Sequence, residues 1–296
     1  MPTLFNSIVR ERSAPMCSRS QQISANLSSR TILSRTGFVF VCCCLLVATW
    51  AAALDLPKRV QPAPAEVPTY TVQRVAQGLV VDGKADEADW QQAAPMHLIF
   101  PWNDVERDAV QHTVAKMLWD ANNLYIVFLC DDPYINAELV AHDSPTYNED
   151  AVEIFATPNS DDVSKYYGYE MNVRGTLLDY ITFWRDGTRM SGGRGWQSEG
   201  VQIATTIDGT LNDDSDIDKG WIFEMAIPHD NFRHLGGRIP PQDGDMWRLN
   251  LNRCAGKTQG QYSVWSDTHA PQASFHHSDY FGKVYFSDVP VGNKNN

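Results

Sequence analysis

The sequence predicts an all-β protein, an antiparallel β-sandwich of about eleven strands with one or two short helices. Three observations predict it. Short stretches rich in β-branched and aromatic residues recur through the body, each bounded by Gly, Asp, Asn or Pro. Several of them alternate apolar and polar residues with a period of two. Nothing of helical length lies between them, so the crossovers that a parallel sheet needs are absent and packed antiparallel sheets are favoured.

The elements follow in order. Strands are predicted at 70–75, 112–119, 124–130, 151–157, 166–173 and 177–184, then at 201–207, 221–227, 246–253, 262–265 and 283–286. Only 84–93 and 230–235 look helical. The first of these follows the turn signal Val81-Asp82-Gly83 and has Trp90 as its apolar anchor. Before the first strand, residues 54–68 carry four prolines and no apolar period, which is the pattern of a linker. The predicted organisation is a leader at 1–53, this linker, a sandwich at 69–288 and a tail at 289–296.

The alternation sorts side chains by face. In 247–252, Trp247, Leu249 and Leu251 point one way and Arg248, Asn250 and Asn252 the other. Tyr169, Met171 and Val173 oppose Glu170 and Asn172, and Glu153 opposes Val152 and Ile154. One face is thus apolar and the other bears amides and carboxylates. Such a polar face is either simply solvated or a platform of hydrogen-bonding groups for a polyhydroxylated ligand.

Composition narrows the classes. With 296 residues, 43% of them hydrophobic, the chain has enough apolar material for a sizeable core and is not disordered throughout. Its net charge of −12 argues against a nucleic-acid partner held through phosphates, which needs a surplus of Lys and Arg. The charge is uneven: five arginines and a single acidic residue lie before residue 54. They precede an uncharged run at 37–53 that ends in Ala51-Ala52-Ala53. A basic flank, an apolar run and small residues fit a secretory signal cleaved near Ala53, the other reading being an uncleaved membrane anchor. Both place the body outside the cytoplasm, as a secreted, periplasmic or cell-envelope protein. Of six cysteines only Cys130 and Cys254 lie in the body, where they either form one disulfide or are two buried thiols.

A set of short stretches, in order, resembles the family 9 carbohydrate-binding modules and their stand-alone relatives. It begins with Val80-Val81-Asp82-Gly83, Glu87 and Trp90, and continues with Leu118-Trp119-Asp120 and Asp131-Asp132-Pro133. Asp150-Ala151-Val152-Glu153-Ile154-Phe155 and Glu170-Met171-Asn172 follow, then Gly220-Trp221 with Glu224, Trp247-Arg248-Leu249-Asn250, Trp265-Ser266-Asp267 and Phe281-Gly282. The resemblance covers about residues 69–288 and implies a β-sandwich that binds sugar without catalysis, with structural calcium ions typical. It further implies two aromatic rings gripping a pyranose. One ring lies six residues before the Glu of the Asp-x-x-Glu-x-Phe strand, which here is Tyr147, and the other six before the terminal Phe-Gly, which here is Phe275. The family's polar contacts fall on Glu153, Asn172 and Asn252, and Glu170 stands where an Arg is expected, a reversal that alters selectivity. Trp102, Trp184 and Trp196 are further stacking candidates, each more often a core or edge residue.

Other chemistries were weighed on the same residues. A glycoside hydrolase needs two carboxylates about 5–10 Å apart, and no motif singles out such a pair. A haem-binding domain of the DOMON type needs axial His, Met or Lys, for which His276-His277 beside Phe275 is the nearest candidate among eight histidines, polar loop histidines being the commoner case. Asp131-Asp132 and the acidic run 213–218 supply oxygen ligands of the kind calcium prefers, or are solvated turns. A cell-envelope interaction protein that kept the fold without sugar binding is the alternative function. The expected partner is a glycan or oligosaccharide, with membrane contact only through an uncleaved N-terminal segment.

Overall fold

The computed structural model describes residues 66–102, 110–185, 188–190, 195–256 and 260–293, without the side chains of Trp184, Arg185 and Met190. The predicted leader and all but the last residues of the predicted linker lie outside the described residues, as does the Trp184 side chain. Among the described residues, thirteen strands form one mixed sheet. They are β1 (Thr69–Arg74), β2 (Met96–His97), β3 (Thr113–Trp119), β4 (Asn123–Asp131), β5 (Ala151–Thr157), β6 (Lys165–Asn172) and β7 (Leu177–Arg185). Then come β8 (Thr188–Met190), β9 (Gln202–Asp208), β10 (Gly220–Pro228), β11 (Met246–Ala255), β12 (Gln261–Val264) and β13 (Gly282–Pro290).

The main path runs β8-β7-β6-β5-β11-β13-β1-β3-β4-β10-β9, with β12 on β11 and β2 on β3. This corrects the expected purely antiparallel sandwich: β1 pairs in parallel with both β13 and β3. All other strand pairs in the path are antiparallel. Alternation reports which face a side chain takes and carries no information on the direction of the neighbouring strand. The eleven predicted strands are all present. The two unforeseen ones, β2 and β8, have two and three residues, too short to show a period.

The sheet curls at β13-β1 so that its two limbs face each other over one core. Ala115, Met117, Ile126, Phe128, Phe223 and Met225 come from the β3-β4-β10 limb, and Val152, Ile154, Tyr167, Tyr169, Leu249 and Leu251 from the β6-β5-β11 limb. An aromatic column bridges them: Phe232 lies 4.8 Å from Trp247, Trp247 4.8 Å from Phe286, and Phe286 5.3 Å from Trp119. The apolar half of each alternating strand is therefore the half buried between the limbs.

The only described α-helix is α1 (Ala88–Gln92), shorter than the predicted 84–93, and the second predicted helix is a 3-10 turn at His229–Phe232. What precedes α1 is not helical: Gly83 has φ +81°, and a Cβ there would meet the Thr205 backbone at 2.8 Å. That turn is held by the buried Glu224, which accepts from the backbone N–H of Gly83 (2.9 Å) and Asp82 (3.1 Å) and from Trp90 Nε1 (2.9 Å). Val-Asp-Gly, Trp90 and Glu224 are thus one structural knot that pins α1 to β10. No helix among the described residues is long and apolar enough to cross a membrane. Cys130 and Cys254 are both free and buried.

Candidate functional site

The outward face of the β7-β6-β5-β11 limb carries the predicted polar positions. Register sets them side by side: Glu170 on β6 is opposite Glu153 on β5, and Glu153 is opposite Asn252 on β11. The adjacent row places Tyr180 of β7 opposite Gly168. A Cβ on Gly168 would sit 2.4 Å from the Tyr180 ring, so only glycine lets that ring lie across the strand. From there the Tyr180 hydroxyl donates to Glu170 Oε1.

This face is partly covered. Glu153, Glu170, Asn172, Asn250 and Asn252 are all buried, because the segment after β12 and the turn at Thr146–Asn148 fold over them. Between the floor and these covers lies a cavity of about 440 Å³, within the usual size range of small-ligand sites. Glu153, Glu170 and Tyr180 line it from the sheet, Tyr147 from the turn, Arg189 from β8, and Tyr262, Phe275 and His276 from the cover.

Four of the six predicted site residues, Tyr147, Glu153, Glu170 and Phe275, thus share one cavity. Tyr147 is 42% exposed. Phe275 is mostly covered, with Trp102 at 5.7 Å and Tyr262 at 6.0 Å from its ring. Trp102 is in turn fixed by Nε1 donating to the Ala270 carbonyl at 2.9 Å. Trp196 packs at the other face of the limb, 5.2 Å from Tyr167.

The structure does not bring Asn172 into the cavity. Its Nδ2 donates to the Leu139 carbonyl (2.9 Å) and to Glu149 Oε2 (2.8 Å), while its Oδ1 accepts from the N–H groups of Arg174 and Thr176. Those bonds fasten the chain that leads to Tyr147, so Asn172 shapes the site from behind. Asn252 is fully buried beside Glu153, with Nδ2 donating to Oε2 at 3.4 Å. It is placed to orient the carboxyl and is not a cavity-lining group.

Sequence reasoning missed Tyr180, Arg189 and Tyr262. Tyr180 and Tyr262 sit on strands whose alternation was legible, and their partners Gly168 and Cys254 would have put them on the polar face once pairing was known. Arg189 left no such signal, because β8 has only three residues.

Burial and the neighbouring Glu170 charge raise the Glu153 carboxyl well above its ordinary 4.5. This environment favours the neutral carboxyl, a form that offers both an O–H donor and an acceptor oxygen. Its Oε1 also lies 3.5 Å from the Cys254 thiol, which burial likewise pushes up. Burial lowers the His276 imidazole to about 3, so it is neutral, stacked 4.9 Å from Phe155, with Nδ1 2.8 Å from the Tyr166 hydroxyl. A raised Glu153 has a stability consequence of definite sign. In the unfolded chain it loses its proton near 4.5, so the folded state's hold on that proton contributes fully below this pH and is lost as pH rises through the elevated folded value. Urea unfolding across pH is expected to show stability falling through this window, and Glu153→Gln to flatten the slope.

The acidic runs expected as calcium ligands carry hydrogen bonds of their own. Asp213 Oδ1 accepts from the Ser215 N–H, Asp218 accepts from the N–H groups of Thr210 and Ile135, and Asp216 accepts from the Thr210 hydroxyl. Asp132 is engaged by Arg253, Trp221 and the Tyr134 N–H. These carboxylates take part in turns and an ion pair.

The family profile described as "Carbohydrate family 9 binding domain-like" matches residues 81–288. The exoglucanase XynX of Acetivibrio thermocellus is 27% identical over 222 residues, 72% of this chain; the chain spans 17% of that protein's length. A protein of Bacteroides uniformis provisionally assigned to carbohydrate binding has a similar solved structure, with TM-score 0.61 and 19% identity, over 75% of this chain and all of that one. A family 9 carbohydrate-binding module of Caldicellulosiruptor kristjanssonii, solved in complex with cellotriose, superposes with TM-score 0.51 and 14% identity, covering 77% and 98% of the two chains. At such identities these two structures establish the shared fold.

Proposed function

Because the chain belongs to the carbohydrate family 9 binding domain-like family, we propose that it binds saccharide non-covalently in the cavity floored by Glu153 and Glu170. The observation that carries this reading is the cavity's lining: paired buried carboxyls set among the rings of Tyr147, Tyr180, Tyr262 and Phe275. A pyranose has apolar C–H faces and a hydroxyl rim, and it needs both kinds of surface at once. Tyr147 and Phe275 contribute ring faces. The Glu153 and Glu170 carboxyls hydrogen-bond ring hydroxyls, and Arg189 adds donors at the rim.

Hydrolysis is disfavoured by the same arrangement. A glycosidase's carboxyls flank the scissile bond, one beside the leaving oxygen and one at the anomeric carbon. Here both side chains rise from neighbouring positions on one floor, and Glu170 is already bonded to Tyr180. The protein is read as exported, on the strength of the basic and apolar leader, and as acting on glycans outside the cytoplasm.

The cellotriose bound by the Caldicellulosiruptor module makes β-1,4-glucan oligomers the first ligands to test. Isothermal titration of the full chain with cello-oligosaccharides, followed by an array of plant, algal and bacterial glycans, is expected to show saturable binding without release of reducing sugar. Silence across the whole array would replace this reading with that of an interaction protein on the same fold. Release of reducing sugar would make it an enzyme.

A further inference from the structure

We propose that His142, Asp143 and Asp179 form a site for one divalent transition-metal ion, zinc by its donor set, on the side of β7 opposite the cavity. Asp179 precedes Tyr180 on β7, so strand alternation turns it away from the saccharide floor, towards the segment that carries His142 and Asp143. The ligand atoms of the three residues all lie within 4.8 Å of one another. His142 Nε2 is 3.3 Å from Asp179 Oδ1 and 3.5 Å from Asp143 Oδ1.

Those separations suit a metal better than hydrogen bonds. An N–H···O bond is closest to optimal at roughly 2.7–3.2 Å. Two ligands on a tetrahedral zinc, each about 2.0–2.2 Å from the ion, stand about 3.3–3.5 Å apart.

A second observation points to a cation at this place. The Asp179 side chain is completely buried, yet apart from the ion-pair contact with His142 at 3.3 Å its Oδ1 has no hydrogen-bond partner among the described residues. Burying such an atom unsatisfied is costly unless something positive answers it. Asp143 Oδ1 is also without a hydrogen-bond partner. The other oxygen of each aspartate is engaged: Asp179 Oδ2 accepts from the Ser198 N–H at 2.6 Å and from the Ser198 hydroxyl, and Asp143 Oδ2 accepts from Gln197 Nε2 at 2.9 Å. These outer bonds fix both carboxylates with their remaining oxygens converging beside the imidazole, which is how ligands are oriented around a metal.

One nitrogen and two carboxylate oxygens suit zinc, with water in the fourth position, whereas calcium prefers six or more oxygens. The ion would join β7, the 197–198 segment and the chain at 142–143, four residues before Tyr147. It would thus stiffen one wall of the cavity without touching ligand.

The test uses tag-free full chain stripped with a chelator and dialysed, then titrated with zinc chloride, with calcium chloride in a parallel arm. One zinc per chain and a rise in Tm of several degrees are expected, with no comparable response to calcium. His142→Ala, a half-exposed position whose loss leaves the core intact, is expected to fold and to abolish both the zinc binding and the rise. Asp179→Asn is expected to do the same if it folds, and His142→Ala decides if it does not. Absence of zinc binding, a zinc response equal in His142→Ala, or a larger response to calcium would each overturn the proposal.

Discussion

Arg253→Ala is expected to lower the unfolding free energy by about 3–5 kcal/mol, the usual cost of removing one partner from a buried ion pair. The Arg253 side chain is 1% exposed, and its Nη2 lies 2.9 Å from Asp132 Oδ2, itself as deeply buried. Nη1 donates to the Asp131 carbonyl (2.7 Å) and to Thr113 Oγ1 (3.0 Å), and the guanidinium lies 5.6 Å from the centre of the Trp221 ring. One side chain therefore ties β11 to the ends of β3 and β4. It also holds two acids together. Burial, and then the Asp132 charge, raise Asp150 to about 8, and removing the guanidinium takes away the cation that Asp132 pairs with. Urea unfolding measures the loss. The double variant Arg253→Met with Asp132→Asn is expected to lose less than Arg253→Ala alone, because it leaves no uncompensated charge. An equal or larger loss in the double variant would show that packing, and not the ion pair, is what Arg253 supplies.

Tyr147→Ala is expected to weaken oligosaccharide binding about thirtyfold, taking roughly 2 kcal/mol for an aromatic anchor. Its ring is 42% exposed, so Tm should not move. Phe275→Ala is expected to weaken binding at least as much and to lower Tm as well, because its ring is also packed against Trp102 and Tyr262. The contrast is the informative part. Calorimetric titration beside a melting curve for each variant separates a ring that meets ligand from one that holds up the cavity. Unchanged affinity in Tyr147→Ala would remove that ring from the site and leave Tyr262 and Phe275 as its aromatic walls.

Much of the site's floor was legible before any pairing was known. Period-two alternation put Glu153 opposite Val152 and Ile154, and Glu170 opposite Tyr169 and Met171, and those are the faces they take. The cover was not legible. That Phe275 would approach Glu153 depends on how a long irregular segment after β12 returns over the sheet, and irregular backbone has no period. Asn172 illustrates the same limit. Alternation placed it correctly on the polar face, but a loop that uses its amide as an anchor took it out of reach of any ligand.

The sequence by itself determined an all-β chain, its eleven longer strands and which side chains share a face, because each of these follows from local periodicity and turn chemistry. Tertiary structure alone decided the parallel neighbours of β1, the curl that set two limbs against one core, and the meeting of His142 with Asp179. Those depend on contacts between segments far apart in the chain, whose free energy exists only once the strands have paired.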